Sequence, residues 1–312
     1  MGAKMTQKRV DLNKLAVQPQ VWELTRLAAL PEEEWERLKR FLELGPADYA
    51  AMLATVEPLF KHGLELVTDN YAYLAEYPET AAILGWESGA DPAHLAERRR
   101  FFTVWLARTL GLDQSVEFAR YLFRAGQIHS GHGPRHIHVP PVYITGAVSR
   151  VQASFAATLA AEMPGFEQTG AALAGWNKLL TMHLHMMLLG YESAQATERG
   201  DFALPVALFG RMRTLLGRAD FTLRMNAGQS VLDALTKFFN YFPQARAEAL
   251  EIGWEAGERV DEQGKPWQTV EPVYRPRFGW RVLLNGRQID YLPQDQWLLK
   301  PDDALQIFPP GR

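Results

Sequence analysis

Four of the eight histidines lie within ten residues of one another, at His129, His132, His136 and His138. An imidazole nitrogen is a ligand for zinc, copper and iron, so this density indicates metal chemistry without naming the metal. His129 has the most useful position, because it falls on the last turn of a predicted helix whose apolar neighbours would keep water away from a bound metal. A single histidine at a helix end is more often a capping or surface residue, and spacing alone leaves that interpretation open.

The helix that would carry His129 is predicted from apolar residues at helical spacing. It ends where glycine and proline accumulate, and a second apolar helix follows Pro140-Pro141. The apolar positions are Phe118, Leu122, Ala125 and Ile128, and the helix-ending residues are Gly131, Gly133 and Pro134. Further along, His183 and His185 stand among methionines on a long helix, where we expect one in the core and one facing solvent.

The composition excludes several classes of function. The 312-residue chain has no cysteine, which rules out disulfides, thiolate zinc sites, cysteine-ligated iron–sulfur clusters and cysteine nucleophiles. A formal net charge of −3 provides no basic surplus for binding nucleic acid or an anionic membrane. The N-terminal residues lack the apolar core of a signal peptide, and no apolar run reaches the roughly 18 residues of a membrane span. We therefore expect a soluble, cytoplasmic protein.

Residues up to about 198 are predicted to be mainly helical. Pro31 followed by three glutamates is a strong helix start, since proline suits the first turn and carboxylates suit the positive end of the helix dipole. The buried face of this helix is assigned to Trp35, Leu38, Phe41 and Leu42. The other helices are predicted over 21–30, 47–76 with room for one break, a short piece from 78, 91–110, 114–128, 142–162 and 169–196.

The pattern changes after residue 200, where alternating and buried apolar runs predict strands. A helix is expected from its N-cap Ser230 to Phe242, and Asn285-Gly286 has the residues that a hairpin turn requires. Strands are predicted over 206–209, 221–225, 281–284, 287–289 and 304–308, whereas 251–278 is a polar excursion rich in glycine and proline. Two strands, a helix and further strands make an α+β unit, so an all-helical domain should precede a small mixed one.

Over roughly residues 30–196 the chain resembles the sensor globins of globin-coupled sensors and protoglobins. The resemblance lies in the stretches 124–129 (RAGQIH), 135–147 (RHIHVPPVYITGA), 70–74 (NYAYL) and 173–191. It implies a globin fold that holds b-type haem, with His129 as the proximal iron ligand and Tyr71 facing a bound gas (O₂, NO or CO). Phe101, Phe102 and Tyr143 are the further haem-pocket residues implied by it. Sensor globins often dimerise through their last two helices, which here are 142–162 and 169–196.

The segment 130–134 departs from that pattern by about five extra residues. The longer loop leaves His132 and His136 as competing or second iron ligands. Otherwise His132, His136 and His138 are expected to be loop residues or neighbours of the haem propionates. Tyr71, Phe101 and Phe102 are core residues in the alternative interpretation.

The second half, about residues 203–312, is similar to the small sulfur-carrying subunit of molybdopterin synthase and its ubiquitin-like β-grasp relatives. The matching stretches are 206–216, 228–235, 241–243, 282–286 and 299–310, interrupted by the insertion at 251–278. Those carriers work through a flexible C-terminal Gly-Gly, whereas this sequence reads Pro309-Pro310-Gly311-Arg312. We therefore expect the carrier chemistry to be lost and a protein-docking module to remain.

Three functions follow from these features. The first is a haem-based gas sensor in residues 1–200 that passes its signal to a partner through the docking module at 203–312. The second is a haem enzyme of peroxidase or NO dioxygenase type, which the lack of a flavin or nicotinamide motif and of a distal acid–base histidine disfavours. The third is a molybdenum-cofactor scaffold with a vestigial globin. We expect a gas-binding sensor rather than a catalyst.

Overall fold

The computed structural model describes residues 19–260 and 262–310, with only the backbone described at Arg259. Its contacts divide the chain into two compact units: a helical unit, Ala29–Ala196, and a mixed unit formed by residues from 197 onward together with the segment that ends at Ala28. Residues 1–18, most of the segment considered for a signal peptide, and Gly311-Arg312, part of the expected carrier tail, lie outside the described residues. Within the described residues, no helix combines the length and apolar character needed to cross a membrane.

Prolines and polar caps set the helix boundaries of the helical unit. Proline occupies the first turn of α1, α2, α5, α6 and α8, and Ser115 caps α7 by accepting a hydrogen bond from the backbone N–H of Phe118 at 3.2 Å. The helices are α1 (Pro31–Phe41), α2 (Pro46–Leu53), α3 (Val56–Lys61), α4 (Gly63–Glu76), α5 (Pro78–Leu84), α6 (Pro92–Leu110), α7 (Val116–His129), α8 (Pro141–Glu162) and α9 (Thr169–Glu198).

Three details of the predicted helices were wrong. The stretch 47–76 is broken twice rather than once; at the first break the buried Thr55 hydroxyl donates to the Met52 carbonyl at 2.7 Å and accepts from the Trp176 indole at 2.9 Å. Residues 21–30 are not helical, because Leu24 forms a β-bridge with Tyr274. Phe41 is 82% exposed, because it lies off the face of α1 that packs inward through Pro31, Trp35 and Leu38 at positions i, i+4 and i+7.

A backbone-to-backbone crossing joins α7 to α9. A Cβ added to Gly126 would lie 1.8 Å from the Met187 carbonyl oxygen, and one added to Gly190 would lie 1.8 Å from the Phe123 carbonyl oxygen. No side chain larger than hydrogen fits at either position. The crossing therefore fixes the spacing between α9 and the helix that ends at His129.

The core beside this crossing contains a buried histidine. His183 is fully buried; its ring stacks on Trp35 at a centroid distance of 5.8 Å and meets Phe118 and Trp105 edge-on. Within the described residues, neither ring nitrogen has a hydrogen-bond partner, and the indole nitrogens of Trp35 and Trp105 also have none. His185 is 39% exposed, so the expectation of one core and one solvent-facing histidine is confirmed.

His183 should make stability depend on pH. Burial lowers its pKa to about 3, whereas an unfolded histidine titrates near 6.5. The unfolded chain therefore binds more protons below about pH 6.5, and His183 should lower the free energy of unfolding by about 1.4 kcal/mol per pH unit as the pH falls towards 3. We expect His183→Leu to flatten this dependence in urea denaturation followed by helical circular dichroism. The exposed His185→Leu is the control that should keep most of the slope, and equal slopes in wild type and His183→Leu would contradict the assignment.

The mixed unit is a β-grasp fold. Its sheet has the strand order β2-β1-β7-β5-β6, with β1 parallel to β7 and antiparallel to β2, and β5 antiparallel to β7. Helix α11 follows the first hairpin, and Ser230 caps it by accepting from the Asp233 N–H at 3.3 Å, as predicted. The elements of this unit are β1 (Phe202–Leu208), α10 (Gly210–Leu216), β2 (Asp220–Met225), α11 (Val231–Tyr241), α12 (Gln244–Ala249), β3 (Leu250–Val260), β4 (Pro266–Pro276), β5 (Arg281–Leu284), β6 (Arg287–Gln288) and β7 (Leu305–Phe308). The predicted order of an all-helical domain followed by a small α+β domain is confirmed.

The insertion at 251–278 is a β-ribbon rather than an irregular excursion. Strands β3 and β4 pair antiparallel from Leu250↔Pro276 to Val260↔Pro266 and form a sheet of their own. Trp254 and Val270 on this ribbon are 66% and 68% exposed. At the base, the Arg275 guanidinium donates to the Glu23 carboxylate at 2.6 Å.

Candidate functional site

A cavity of about 320 Å³ lies in the helical unit among α4, α5, α6, α7, α8 and the loop after His129. Its walls are mainly aliphatic and aromatic side chains. The structure brings together all five residues that the sequence places in a haem pocket, since His129, Tyr71, Phe101, Phe102 and Tyr143 all line it. Phe101 is also 47% exposed, so it stands at the rim.

His129 is the last residue of α7, and a backbone carbonyl orients its ring. Its Nδ1 lies 2.7 Å from the carbonyl oxygen of Ala125, which can only accept, so Nδ1 carries the proton. Nε2 has no hydrogen-bond partner among the described residues and keeps its lone pair. Burial lowers the pKa of His129, and the nearby Arg98 guanidinium lowers it further. The imidazole is therefore neutral, and a backbone carbonyl fixes its tautomer, as is usual for a metal-ligating histidine.

The extended loop after His129 folds back to close the cavity. The Val139 N–H donates to the His129 carbonyl at 2.7 Å, and Ser130 and His138 form a β-bridge. Gly131 adopts a φ of +97°, a conformation that favours glycine at this reversal. As a result, the later part of the loop lines the cavity. Its lining residues include Pro134, Arg135, Ile137 and Val139.

The other clustered histidines do not line the cavity. The His138 Nε2 lies 2.5 Å from the Tyr191 hydroxyl on α9. The His132 carbonyl accepts from the Arg124 guanidinium at 3.0 Å, and His136 is exposed on the loop. Within the described residues, no three histidine or carboxylate side chains converge as a metal cluster. Of the four clustered histidines, the structure thus presents only His129 to the cavity.

Tyr71 lies in the cavity wall on α4. Its hydroxyl donates to the Arg98 carbonyl at 2.9 Å, and its ring meets Phe102 and Trp86 edge-on at 6.0 and 6.3 Å. Burial raises the pKa of the Tyr71 phenol to about 12, so it stays protonated. The hydroxyl is a permanent hydrogen-bond donor whose single proton is directed at a backbone carbonyl.

Several cavity residues were not predicted from the sequence. Arg98 and Trp105 share one face of α6 with Phe102 at helical spacing, a signal that could have identified them. Arg98, Arg124 and Arg135 bring positive charge to the cavity, and the Arg135 guanidinium donates to Glu97 at 2.8 Å.

His94 places a constraint on Arg98. The His94 Nδ1 lies 3.1 Å from the Trp86 indole N–H, and its Nε2 lies 3.0 Å from the Nε–H of Arg98. Burial lowers the pKa of His94 and keeps it neutral, and a neutral imidazole accepts only one hydrogen bond. Only one of the two donors can therefore be satisfied.

These residues fit a haem group. An apolar cavity with aromatic walls suits a flat macrocycle, a neutral imidazole with a fixed tautomer suits its iron, and guanidinium groups suit its carboxylates. The chain has no cysteine, so it cannot form the thioether bonds that attach a c-type haem.

The comparison with protein families decides the assignment of the helical unit. The family model of Protoglobin matches residues 31–197. The chain belongs to the protoglobin family. Membership of this family implies haem binding. The matched residues lie almost entirely in the helical unit.

Solved structures resemble each half of this protoglobin. The globin domain of a Geobacter sulfurreducens globin-coupled sensor is 17% identical, with a TM-score of 0.42, over 50% of this chain and 96% of that one. The small archaeal modifier protein 1 (SAMP1) from Methanosarcina acetivorans is 23% identical, with a TM-score of 0.25, over 35% of this chain and 93% of that one. Among curated proteins, none matches this chain significantly.

Proposed function

We propose that this protoglobin binds b-type haem through the Nε2 of His129 and takes up a diatomic gas on the opposite face, beside Tyr71. The observation that carries the proposal is the state of His129: a neutral imidazole, oriented by the Ala125 carbonyl, that lines an apolar cavity. The haem supplies the iron that binds the gas. Phe102 and Tyr143 line the walls, and Arg98 and Arg135 are placed to meet its carboxylates.

The proposed output is a change in protein docking through the β-grasp unit. Helix α9, which crosses the His129 helix at Gly190, ends only a few residues before β1 begins. Exposed apolar side chains of this unit support docking: Phe278 is fully exposed, and Phe209 is 37% exposed where it stacks on the half-buried Phe308 at 4.1 Å. A complete two-state switch would require about 5.5 kcal/mol of differential gas affinity, so we expect a graded response.

The test is haem uptake followed by gas binding. Purified protein titrated with haemin should develop a Soret band that saturates at one haem per chain. Reduction and addition of CO should then shift the band. Protein that takes up no haem, or holds haem that CO does not perturb, would exclude a gas-binding function.

Tyr71→Phe should identify the gas-facing hydroxyl. Iron-bound O₂ is polar and accepts a hydrogen bond from a phenol, whereas bound CO gains little from one. Loss of one hydrogen bond of roughly 1.4 kcal/mol corresponds to about a tenfold faster O₂ dissociation. The CO dissociation rate of the same variant, measured by stopped flow, should stay near the wild-type value. An unchanged O₂ rate would mean that the hydroxyl stays on the Arg98 carbonyl when gas binds.

A further inference from the structure

A row of tyrosines leads from the cavity to the protein surface. Tyr143 lines the cavity, and its ring centroid lies 6.3 Å from that of Tyr77. Tyr77 in turn stacks on Tyr73 at 6.0 Å. Tyr77 and Tyr73 are 39% and 40% exposed, so the row ends in solvent. Steps of about 6 Å between rings are short enough for an electron to move from one phenol to the next.

The Glu79 carboxylate lies beside the first two phenols of this row, those of Tyr143 and Tyr77. The Tyr143 hydroxyl donates to Oε2 of Glu79 at 3.1 Å. The nearby Glu79 carboxylate also raises the pKa of the Tyr77 phenol. A tyrosine that gives up an electron near neutral pH must also release its phenolic proton. Glu79 already accepts the hydrogen bond of Tyr143, and it follows Tyr77 by two residues, so it is the carboxylate nearest to hand for the proton of either phenol.

Tyr73, at the far end of the row, has a positively charged neighbour instead of a carboxylate. The Arg150 guanidinium lies 3.6 Å from the centroid of the Tyr73 ring. A positive charge over an aromatic face stabilises its electrons and opposes their removal. Tyr77, beside an anion, should therefore be oxidised more readily than Tyr73, beside a cation.

We propose that Tyr143 and Tyr77, with Glu79 as the proton acceptor beside them, form a path along which electrons would pass from the protein surface to a haem held in the cavity when hydrogen peroxide is the oxidant, with Tyr77 as the surface site of oxidation. The inference rests on the proposed haem function but goes beyond gas binding, since it assigns a one-electron chemistry to residues of α5, α8 and the junction between α4 and α5. The oxidant is hydrogen peroxide. When two chains couple through their surface tyrosines, each tyrosine loses one electron and one proton, a C–C bond joins the two rings, and one H₂O₂ is reduced to two H₂O.

The experiment treats haem-loaded protein with a small excess of hydrogen peroxide and maps dityrosine cross-links by peptide mass spectrometry. Wild type should form cross-links at Tyr77 in preference to Tyr73. Tyr143→Phe and Glu79→Gln should each lower the Tyr77 yield several-fold per bound haem. Tyr49→Phe, which removes a phenol elsewhere in the helical unit, is the control and should keep the wild-type yield. An unchanged Tyr77 yield in Tyr143→Phe, with a normal Soret band, would overturn the path while leaving the haem function intact.

A second arm bypasses the cavity. A photoexcited ruthenium complex with persulfate oxidises surface tyrosines from solution, so Tyr143→Phe should then cross-link like wild type. Glu79→Gln should still lower the yield at Tyr77. A loss in Tyr143→Phe under these conditions would show damage to the surface site rather than to the path, and would overturn the proposal. Protein that takes up no haem would overturn both this path and the proposed function.

Discussion

His129→Gly should abolish stable haem binding. Loss of an outer hydrogen bond to a metal-ligating histidine alone costs about 10–100-fold in affinity, so removal of the ligand should raise the haem dissociation constant by at least about 100-fold. The fold should survive, because glycine is well tolerated at the end of a helix such as α7. Free imidazole added at millimolar concentration fits the space left by the side chain and should restore the Soret band and the CO shift. Haem titration with and without imidazole measures both effects.

Two loop variants provide the controls for this result. His132→Ala and His136→Ala remove the histidines that the sequence leaves as competing ligands, and neither residue lines the cavity. We expect both variants to bind haem like wild type. A normal spectrum in His129→Gly without imidazole, together with loss in either loop variant, would move the iron ligand to the loop.

Gly190→Ala should strongly lower the free energy of unfolding of the helical unit. The new Cβ would lie 1.8 Å from the Phe123 carbonyl oxygen, so α7 and α9 must separate. Overpacking of this kind costs about 1–3 kcal/mol in buried sites, and contact with rigid backbone argues for the upper end, about 3 kcal/mol. Urea denaturation followed by helical circular dichroism measures the change in the free energy of unfolding.

Gly146→Ala is the matched control for the helix crossing. Gly146 lies within α8, and a Cβ there meets nothing within 4 Å. The same methyl group should stabilise the protein by about 0.5–1 kcal/mol, because alanine favours a helix over glycine. Equal effects of the two substitutions would show that the α7–α9 crossing has room to relax, and would remove the argument that it fixes the His129 helix.

The sequence predicted the elements whose signals are local. Apolar spacing from Phe118 to Ile128, followed by glycine and proline, was enough to place His129 on the last turn of α7. The failures depend on distant partners. Leu24 is extended because it pairs with Tyr274, and α2 ends near Thr55 because Trp176 donates to that hydroxyl. No window of neighbouring residues contains either piece of information.

The sequence was enough to predict which residues line the candidate site, but not how the loop after His129 folds over it. Family resemblance brought Tyr71 and His129 into one pocket, and both line the cavity. The sequence could not show whether the histidines of the added loop reach the cavity, because their positions depend on contacts within the fold. The Val139 N–H donates to the His129 carbonyl, and the His138 side chain meets the hydroxyl of Tyr191, 53 residues further along the chain. Loop length is visible in a sequence, but the direction in which the loop folds is not.

The β-ribbon has a consequence for behaviour at high concentration. Within the described residues β3 pairs only with β4, so its other edge presents free backbone groups beside the exposed apolar surface of Trp254. Such an edge is a template for adding strands from other molecules. Glu251 and Glu258 lie along this strand and are exposed, whereas the carboxylate of Glu255 between them pairs with Arg275. When two copies approach edge to edge, the carboxylates of Glu251 and Glu258 repel those of the other copy, which disfavours the addition of further strands to the ribbon.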